Sequence, residues 1–594
     1  MNPVSYLTQK ATAAVEALYG VAPAPGMIQV QATRKEFEGD LTLVVFPLLK
    51  TSHKAPDVTA QEIGAWLEAN TDAVSSFNVV KGFLNIKLSS AYWNDVLRRI
   101  VADGDFGQLP PTGKTIMVEF SSPNTNKPLH LGHVRNNLLG SSVAALLAAG
   151  GNKVIKVNLV NDRGIHICKS MLAWLKCGNG ITPEQAGKKG DHLIGDYYVK
   201  FNDLFKDEVR QLVAGGMSEE EAEKNAPILK EAQQMLVKWE NGDKEVVDLW
   251  KMMNGWVYEG FAQTYKSLGI EFDRTYYESQ TYKSGKSLVA EGLEKGIFYK
   301  REDGSVWCDL TGDGLDQKLL LRGDGTSVYM TQDLGTAKQR FEEYSLDEHI
   351  YVVGNEQNYH FQVLKLILGK LGFEWSDAIY HLSYGMVELP EGKMKSREGT
   401  VVDADDLIEK MYATAKETSL ELGKLDGMDE KEQDALFRML GLGALKYFII
   451  KVDPRKTMLF DPKESIDFNG NTGPFIQYTH ARIKSILRKA EAEGIKVSAE
   501  CCGAPMIAKE ETLVQLLASY PDKVAEGCAA HSPAIIANYA YELAKEFNQY
   551  YHDTQILREQ DAAVRCQRLL LIGTIARVLS RAMAILGIDL PERM

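Results

Sequence analysis

Histidine and lysine side chains gather in one short stretch, SSPNTNKPLHLGH, at residues 121–133. His130 and His133 are three residues apart, so both face one side of the first turn of a helix that begins there. The N-terminus of a helix favours anions, and Gly132 allows a flat base or a phosphate to approach the backbone. The two imidazoles and the Lys127 ammonium can donate hydrogen bonds to charge that develops on a phosphate. The stretch therefore predicts a nucleotide triphosphate site, although histidines that only cap a helix would have the same spacing.

A second basic stretch, EGKMKSREGT, occupies residues 391–400. Lys393, Lys395 and Arg397 lie between glycines, with Ser396 among them. Such a loop can close over a polyphosphate and neutralise a departing pyrophosphate. A lone basic loop is more often only a solvated turn, so this stretch gains meaning from the first one. The chain has no GxxxxGK[ST] phosphate loop.

The elements that position these residues alternate between strand and helix. Residues 115–120 predict a strand, Leu131–Ala149 a helix closed by two glycines, and 153–160 a second strand. Strand, helix and strand without a hairpin turn indicate a βαβ unit and hence a parallel sheet. The alternation resumes after a long helical stretch, with strands predicted at 327–330, 349–353 and 379–387 and a helix through 362–371.

We therefore predict an α/β protein with a Rossmann-like parallel-sheet catalytic domain at residues 111–404, interrupted by a helical insertion at about 180–300. Residues 1–110 predict a small α+β domain, with strands at 27–32, 41–46 and 83–88 and a helix near 60–69. A Gly- and Pro-rich linker follows at 102–114. Residues 405–594 predict an all-helical domain, because Ile572, Ile575, Ala576 and Leu579 have helical spacing.

Composition narrows the class of protein. A chain of 594 residues exceeds one compact core, and no apolar run reaches the ~18 residues of a membrane span. The seven cysteines form no CxxC pair, and their odd number argues against a disulfide framework, so we expect a reduced cytoplasmic protein without zinc. The net charge of −13 is unfavourable for a generic nucleic-acid binder. Any RNA contact must therefore depend on local basic patches and shape.

Together the two basic stretches resemble the HIGH and KMSKS signatures of class I aminoacyl-tRNA synthetases, in the right order and each beside a predicted parallel strand. Four further segments are similar to the arginyl branch of that class: VYMTQDLGTAKQR (328–340), YVVGNEQNYHFQ (351–362), NTGPFIQYTHARIKSIL (471–487) and the terminal LGIDLPERM. The resemblance covers essentially the whole chain. It implies that arginine is activated by ATP to arginyl-adenylate and transferred to the 3′ end of tRNA(Arg), with release of pyrophosphate and AMP.

The resemblance also implies roles for individual residues. The catalytic residues would be Lys127, His130, His133, Lys393 and Arg397. ATP would be bound by Pro123, Gly132, His133, Gly164, Gly354, Met386 and Ser396. Arginine would be bound by Glu119, Ser121, Asn124, His130, Tyr329, Asp333 and Gln357. Bases of the anticodon would stack on the helical domain, where the candidates are Tyr478, Tyr541 and Met594; core packing remains an alternative for both tyrosines.

The chemistry of arginine agrees with this set. A guanidinium is planar, always charged and carries five donors, so it needs acidic acceptors held in a fixed geometry. Two carboxylates, Glu119 and Asp333, and the Tyr329 phenol could supply them. A site built from such partners rejects analogues that leave the partners unpaired.

Two positions depart from the family pattern. The fourth place of KMSKS, a lysine in most of the class, is Ser396 here. In arginyl members the lysine just before HIGH is thought to substitute, and Lys127 fits that role. In the segment NDRGIH (161–166), Asn161, Asp162 and Gly164 match the family, but Arg163 stands where an aromatic residue is usual.

The expected partners are L-arginine, ATP with Mg²⁺ and tRNA(Arg), and the expected state is a monomer with no membrane association. Magnesium would accompany ATP, so no dedicated structural metal site is expected. The first domain would contact the outer corner of the tRNA. A nucleotidylyltransferase of another family is one alternative, but it does not need a 190-residue helical tail. A catalytically inactive tRNA-binding paralogue is a second, and the presence of Glu119, Lys127, His130 and His133 argues against it.

Overall fold

The computed structural model describes residues 3–34, 36–388, 402–423, 425 and 427–594. Lys393, Ser396 and Arg397, which are predicted to contact ATP, lie outside the described residues. No helix in the described part of the chain is both long enough and apolar enough to cross a lipid bilayer.

The N-terminal part is a four-stranded antiparallel sheet, in the order β1-β2-β4-β3, covered by helices. Its elements are α1 (Pro3–Tyr19), β1 (Gln29–Ala32), β2 (Leu41–Val44), α2 (Leu49–Ser52), α3 (Pro56–Asn70), β3 (Val74–Val80), β4 (Phe83–Leu88) and α4 (Ser90–Ala102). Leu7, Ala11, Ala14 and Val15 form the buried face of α1, as helical spacing predicts. Strand β3 was not predicted, because its middle residues are polar and largely exposed.

The central part is built around a five-stranded sheet. Its elements are β5 (Thr115–Glu119), α5 (Leu131–Ala149), β6 (Lys153–Val160), α6 (Ile165–Cys177), α7 (Pro183–Ala186), α8 (Gly190–Ala214), α9 (Glu219–Asn225), α10 (Pro227–Glu240), α11 (Lys244–Leu268), β7 (Arg274–Tyr277), α12 (Glu278–Thr281), α13 (Lys286–Glu294), β8 (Phe298–Lys300), β9 (Val306–Cys308), β10 (Lys318–Leu321), α14 (Tyr329–Tyr344), β11 (Glu348–Gly354), α15 (Asn358–Leu371), β12 (Ile379–Tyr384) and β13 (Val387–Glu388).

The five strands of that sheet are all parallel, in the order β12-β11-β5-β6-β7. Their carboxyl ends therefore meet at one edge, which is where ligands bind in open α/β sheets. Glu119, the last residue of β5, pairs with Val157 on one side and Tyr351 on the other. The predicted Rossmann-like α/β class is confirmed, and α5 and β6 have the predicted bounds.

The stretch between β6 and β7 is almost entirely helical. Helices α8, α10 and α11 pack on α6, so this group of helices stands beside the sheet. Within residues 180–300 the chain also returns to the sheet, since β7 pairs with the second half of β6. A three-stranded antiparallel sheet, in the order β10-β9-β8, follows.

The strand predicted at Ser327–Met330 is wrong. Ser327 forms an isolated antiparallel bridge with Leu321, and the extended Val328 is the N-cap of α14, which begins at Tyr329. A short apolar run does not distinguish a strand from the first turn of a buried helix. As a result Tyr329 and Asp333, four residues apart, lie one helical turn from each other.

Among the described residues of the C-terminal part, one two-residue strand is present and the other regular elements are helices. Its elements are α16 (Ala404–Leu422), α17 (Glu430–Ile450), β14 (Met458–Leu459), α18 (Pro462–Ser465), α19 (Gly473–Ala492), α20 (Ala508–Ala518), α21 (Tyr520–Ala530), α22 (Ala534–Asp553) and α23 (Ala562–Ile585). Ile572, Ile575, Ala576 and Leu579 are all buried on α23, as predicted.

One disulfide, between Cys501 and Cys566, corrects the expectation of a fully reduced chain. The two cysteines are separated by 65 residues, so their spacing carries no local signal of pairing. The other five cysteines are free thiols.

Candidate active site

The two histidines of the first signature cap helix α5. His130 is its N-cap, and its Nδ1 accepts a hydrogen bond from the Gly132 backbone N–H (3.1 Å). The His130 backbone N–H donates to Nδ1 of His133 (3.2 Å), which completes a reciprocal capping arrangement. The two rings lie 4.0 Å apart. The capping role and the predicted chemical role are therefore compatible.

This capping fixes what the two rings can do. Because Nδ1 accepts in each ring, the proton of the neutral imidazole lies on Nε2, which remains able to donate to a ligand. Burial and the nearby Lys127 charge lower the pKa of His130 to about 4, and desolvation holds the pKa of His133 well below its usual value. Both rings are thus neutral donors at pH 7. A Cβ at Gly132 would lie 2.9 Å from the His130 ring, so glycine also preserves this cap.

The loop between β5 and α5 begins with a tight turn. Ser121 and Ser122 both have positive φ, 78° and 45°, a conformation uncommon for residues with side chains. Their backbone N–H groups donate to the side chains of Asn136 (2.5 Å) and Asn158 (3.0 Å), which stabilises the turn. The Ser121 hydroxyl is buried against the hydroxyl of Tyr265 at 2.6 Å. Ser121 is the residue predicted to bind arginine, but Ser122 lines the cavity at the carboxyl ends of the strands in its place.

An acidic cavity of about 910 Å³ opens at the carboxyl ends of β5, β6 and β11. Five of the predicted arginine-binding residues line it: Glu119, Asn124, Tyr329, Asp333 and Gln357. Glu240, Glu278 and His360 also line it and were not predicted. Burial raises the pKa of Glu278 to about 7, although Arg163 lies close by. The cavity thus brings four carboxyl groups to one concave surface, and we call it the acidic cavity for them, although Arg163, Lys283, Lys286 and Arg322 also line it.

The two predicted carboxylates of this cavity have different partners. Glu119 forms a buried ion pair with Arg340 of α14. Oδ2 of Asp333 accepts a hydrogen bond from Nε2 of His360 (2.6 Å). Oδ1 takes no part in that bond. Tyr329, one turn before Asp333, is 73% exposed at the cavity mouth. Gln357 lies in a short 3₁₀ turn directly after β11.

A second cavity, of about 880 Å³, lies on the other side of the β5–α5 loop. Lys127 and His130 line it, and Asn124, Asn126 and His166 line both cavities. Burial lowers the pKa of the Lys127 ammonium. Lys127 makes no ion pair with any described residue, so its charge is available to an anion.

The first signature is joined to the chain that follows the second one. Leu131 N–H donates to the carbonyl of Val402 (3.0 Å), and Ala404 N–H donates to the carbonyl of Leu129 (2.9 Å). His130 and Asp403 form an antiparallel bridge between these bonds. The residues that directly follow the KMSKS-like stretch therefore hold the first turn of α5.

Side chains from the N-terminus of α8 and from α11 hold this junction in turn. Asp405 pairs with Lys189 and accepts from His192 (3.0 Å) and Thr264 (2.9 Å). Burial would raise the pKa of Asp405, but the hydrogen bonds from His192 and Lys189 outweigh it and lower the pKa to about 2. Asp191, His192 and Asp405 could approach a metal ion, with ligand atoms within 4.8 Å of one another. Lys189 supplies the positive charge there, since it contacts both aspartates.

The described positions predicted to bind ATP are spread over several elements: Gly132 and His133 lie in the first turn of α5, Gly164 lines the acidic cavity, and none of them lines the second cavity. Gly354 ends β11, Met386 follows β12, and Pro123 accepts from the Asn161 N–H at 2.9 Å. Gly164 has φ +99° and is the N-cap of α6. Met386 is fixed by Arg135 of α5, which donates to its carbonyl (3.2 Å).

Arg163, the departure from the family pattern, is paired inside the acidic cavity. Its guanidinium contacts Glu240 (2.6 Å), approaches Glu278 (4.0 Å) and lies 4.1 Å from the centre of the Tyr282 ring. The preceding Asp162 is buried and accepts three hydrogen bonds, from Ser279 N–H and Oγ and from the Tyr258 hydroxyl. The loop after β6 is therefore anchored to helix α11 and to the start of α12.

The three anticodon candidates lie in two separate places. Tyr541 lines a cavity of about 450 Å³ with Phe475, Lys509 and Lys545. Tyr478 and Met594 lie together in a small apolar cavity, and Arg482 lies over the Tyr478 ring at 4.7 Å. Asp553 also lines the larger cavity and forms an ion pair with Lys509 there.

Three family models match the chain. They are described as tRNA synthetases class I (R), catalytic domain, at residues 96–461, the DALR anticodon binding domain at 476–594, and the arginyl tRNA synthetase N terminal domain at 5–88.

Individual proteins match over the same length. The chain is 62% identical to the arginine–tRNA ligase of Bacteroides thetaiotaomicron, with 98% of both chains covered, and 58% identical to that of Porphyromonas gingivalis, with 100% of both covered. The solved structure of arginyl-tRNA synthetase from Thermus thermophilus is similar with a TM-score of 0.78 and 25% identity over 100% of both chains. The family expected from the signatures is thus confirmed, and the chain belongs to the arginyl-tRNA synthetases of class I.

Proposed function

We propose that this chain is an arginine–tRNA ligase that activates arginine with ATP and transfers it to the 3′ end of tRNA(Arg). The observation that carries the proposal is the pairing of two cavities across one loop. In one, Glu119 and Asp333 are carboxyl groups suited to a guanidinium, and in the other Lys127 and His130 suit a polyphosphate, although both cavities also contain side chains of the opposite charge. Asn124, Asn126 and His166 line both, so reactants in the two cavities can meet there.

In the first step, an oxygen of the arginine carboxylate attacks the α-phosphorus of ATP in line. The bond to the bridging oxygen breaks, and pyrophosphate leaves with its electron pair. The Nε2 protons of His130 and His133 donate to phosphate oxygens, and the Lys127 ammonium neutralises the departing charge. No protein nucleophile takes part, so the chain contributes position and charge stabilisation. ATP enters as its magnesium complex, with the metal held largely by phosphate oxygens and water.

In the second step, a ribose hydroxyl of the terminal tRNA nucleotide attacks the carbonyl carbon of arginyl-adenylate. The hydroxyl proton is lost, the ester forms, and AMP leaves. We place the substrate guanidinium against Glu119, Asp333 and Tyr329, with Asn124 and Gln357 near its backbone end. The anticodon would bind the helical C-terminal part, and the N-terminal sheet would contact the outer corner of the tRNA. The division at 110/111 and 404/405, a monomeric state and a cytoplasmic location remain part of this proposal.

Aminoacylation with labelled amino acids tests the proposal. We expect the chain to esterify tRNA(Arg) with arginine and to use neither lysine nor citrulline, because lysine lacks the fork and citrulline lacks the charge. Esterification by lysine at a comparable rate would refute the assignment of the acidic cavity. A tRNA for a different amino acid is the matched control, and it should remain uncharged.

A further inference from the structure

Arg340 is a fully buried arginine behind the wall of the acidic cavity. Its guanidinium forms an ion pair with Glu119, and the two side chains are only 1% and 7% exposed. Arg340 lies behind Glu119 and does not itself line the cavity. It is therefore placed to act on the carboxylate and not on a ligand.

Helix α14 brings Arg340 into line with the predicted arginine-binding residues. Tyr329, Asp333 and Arg340 are spaced four and seven residues apart, so they fall within about 40° of one another around the helix. The guanidinium is flanked by the rings of Tyr276 and Tyr351, at 4.8 Å and 5.9 Å from their centres. The aromatic rings and the helix fix Arg340 in one position.

Glu119 needs such a partner. A carboxylate taken out of water tends to become neutral, and desolvation is the main cause that raises the pKa of Glu119. The nearby Asp333 carboxylate acts in the same direction, while Arg340 and a hydrogen bond from Ser122 oppose it. A neutral Glu119 would lose most of its attraction for a guanidinium.

We propose that Arg340 is a positioning residue for substrate recognition: it holds the Glu119 carboxylate in place as an anion through one oxygen and leaves the other oxygen to the arginine substrate. That second oxygen, Oε1, lies 3.5 Å from the Ser122 hydroxyl at the cavity wall. The inference rests on the proposed function, because it assigns the cavity to arginine.

The groups that face Glu119 from each neighbouring element are few. Helix α14 contributes Arg340 and Asp333, strand β11 contributes Tyr351, and the turn after β5 contributes Ser122. Arg340 is the one cation that acts on Glu119 within the described part of the chain. Its removal should therefore raise the pKa of Glu119 and make arginine recognition dependent on pH.

The test is the KM for arginine in tRNA-dependent ATP–pyrophosphate exchange, measured from pH 6 to pH 9 for Arg340→Gln and Arg340→Lys. We expect Arg340→Gln to raise the KM at pH 7 roughly 100-fold, with recovery toward pH 9 as Glu119 ionises, while kcat at saturating arginine changes less than about threefold. Arg340→Lys should restore most of the affinity. Arg274→Gln is the matched control, since it breaks an arginine–glutamate pair with Glu343 on the same helix outside the cavity.

A second measurement covers the case in which Arg340→Gln does not fold. Glu119→Gln should raise the KM without pH dependence, and adding Arg340→Gln to it, which leaves neither member of the buried pair charged, should change the KM less than about twofold. The inference is overturned if the KM of Arg340→Gln follows the parent across the pH range, if its loss falls on kcat, or if adding Arg340→Gln to Glu119→Gln raises the KM by clearly more than twofold. A parent chain that shows no arginine-dependent exchange would instead refute the proposed function.

Discussion

His130 and Asp403 pair backbone to backbone, so the first turn of α5 and the start of α16 form one unit. This unit joins the histidines of the first signature to the chain that follows the second. Lys189 and His192 of α8 hold it through Asp405. Through these contacts, the helices between β6 and β7 help to fix the position of His130.

The first prediction concerns Lys189→Met. Loss of the ammonium leaves Asp405 and the buried Asp191 without their shared cation, and the support of the His130 turn is weakened. We expect kcat for arginine activation to fall roughly tenfold, with the KM for arginine within about twofold of the parent, because the cavity for arginine is not touched. Lys176→Met is the control, since Lys176 pairs with Glu231 on α10 and lines neither cavity. An unchanged kcat would show that the junction does not act on His130.

The second prediction concerns Lys127→Ala. Lys127 lines the second cavity and has no ion-pair partner among the described residues, and Ser396 stands where most of the class has a lysine. We expect the rate of arginine activation to fall by roughly 10²–10³, because a charge that stabilises the departing pyrophosphate is lost. Stopped-flow or exchange kinetics would measure it beside Lys393→Ala. The Lys127 variant should lose at least as much, and a near-parental rate would remove Lys127 from the phosphate site.

The third prediction concerns Asp333→Asn. Asp333 faces the acidic cavity and is held by His360 at 2.6 Å. We expect the KM for arginine to rise roughly 10- to 100-fold, as a charged hydrogen-bond acceptor is replaced by a neutral amide. The KM for ATP should stay within about twofold. Asp316→Asn, an exposed aspartate beside Tyr359, is the control. Unchanged arginine kinetics would exclude Asp333 from the site.

The fourth prediction concerns stability and pH. The pKa of His130 is lowered to about 4 in the folded chain, while an unfolded histidine titrates near 6.5. The unfolded state therefore binds more protons between pH 6.5 and 4, so folding stability falls as the pH drops through this window, by up to about 3 kcal/mol from this residue. His130→Asn keeps an N-cap but removes the titrating ring.

The measurement is the difference in Tm between the parent and His130→Asn at pH 7.5 and at pH 5. The Tm of the variant relative to that of the parent should be higher at pH 5 than at pH 7.5. A difference that is the same at both values would mean that His130 does not resist protonation in the folded chain. Glu592→Gln replaces an exposed side chain and shows how much the Tm difference varies with pH for a substitution outside the site.

The parts of the fold set by local pattern were predictable from the sequence. The apolar strand at 153–160 and the helix ended by Gly150 were predicted with the observed bounds, and the α/β class is confirmed. Tyr329 shows the limit of local pattern, since Ser327–Met330 predicted a strand where the chain starts a helix. β3 was missed because its polar residues hide the alternation.

The candidate site was predictable where the family signatures are continuous in sequence. Five of the residues predicted to bind arginine line one cavity. Partners that come from distant strands and helices were not predictable, and Arg340 as the partner of Glu119 is an example. Once α14 is known, the spacing of Tyr329, Asp333 and Arg340 does indicate that they share one face of the helix. The Cys501–Cys566 pair had no such signal.

Arginine-dependent exchange of pyrophosphate into ATP, measured with and without tRNA(Arg), tests the central claim most directly. The resemblance to arginyl-tRNA synthetases implies that bound tRNA is required for the first step. We predict exchange with arginine and tRNA(Arg) together, and none with arginine alone or with lysine or glutamate in its place. Exchange driven by lysine or glutamate, or no exchange with arginine in the presence of tRNA(Arg), would contradict the account.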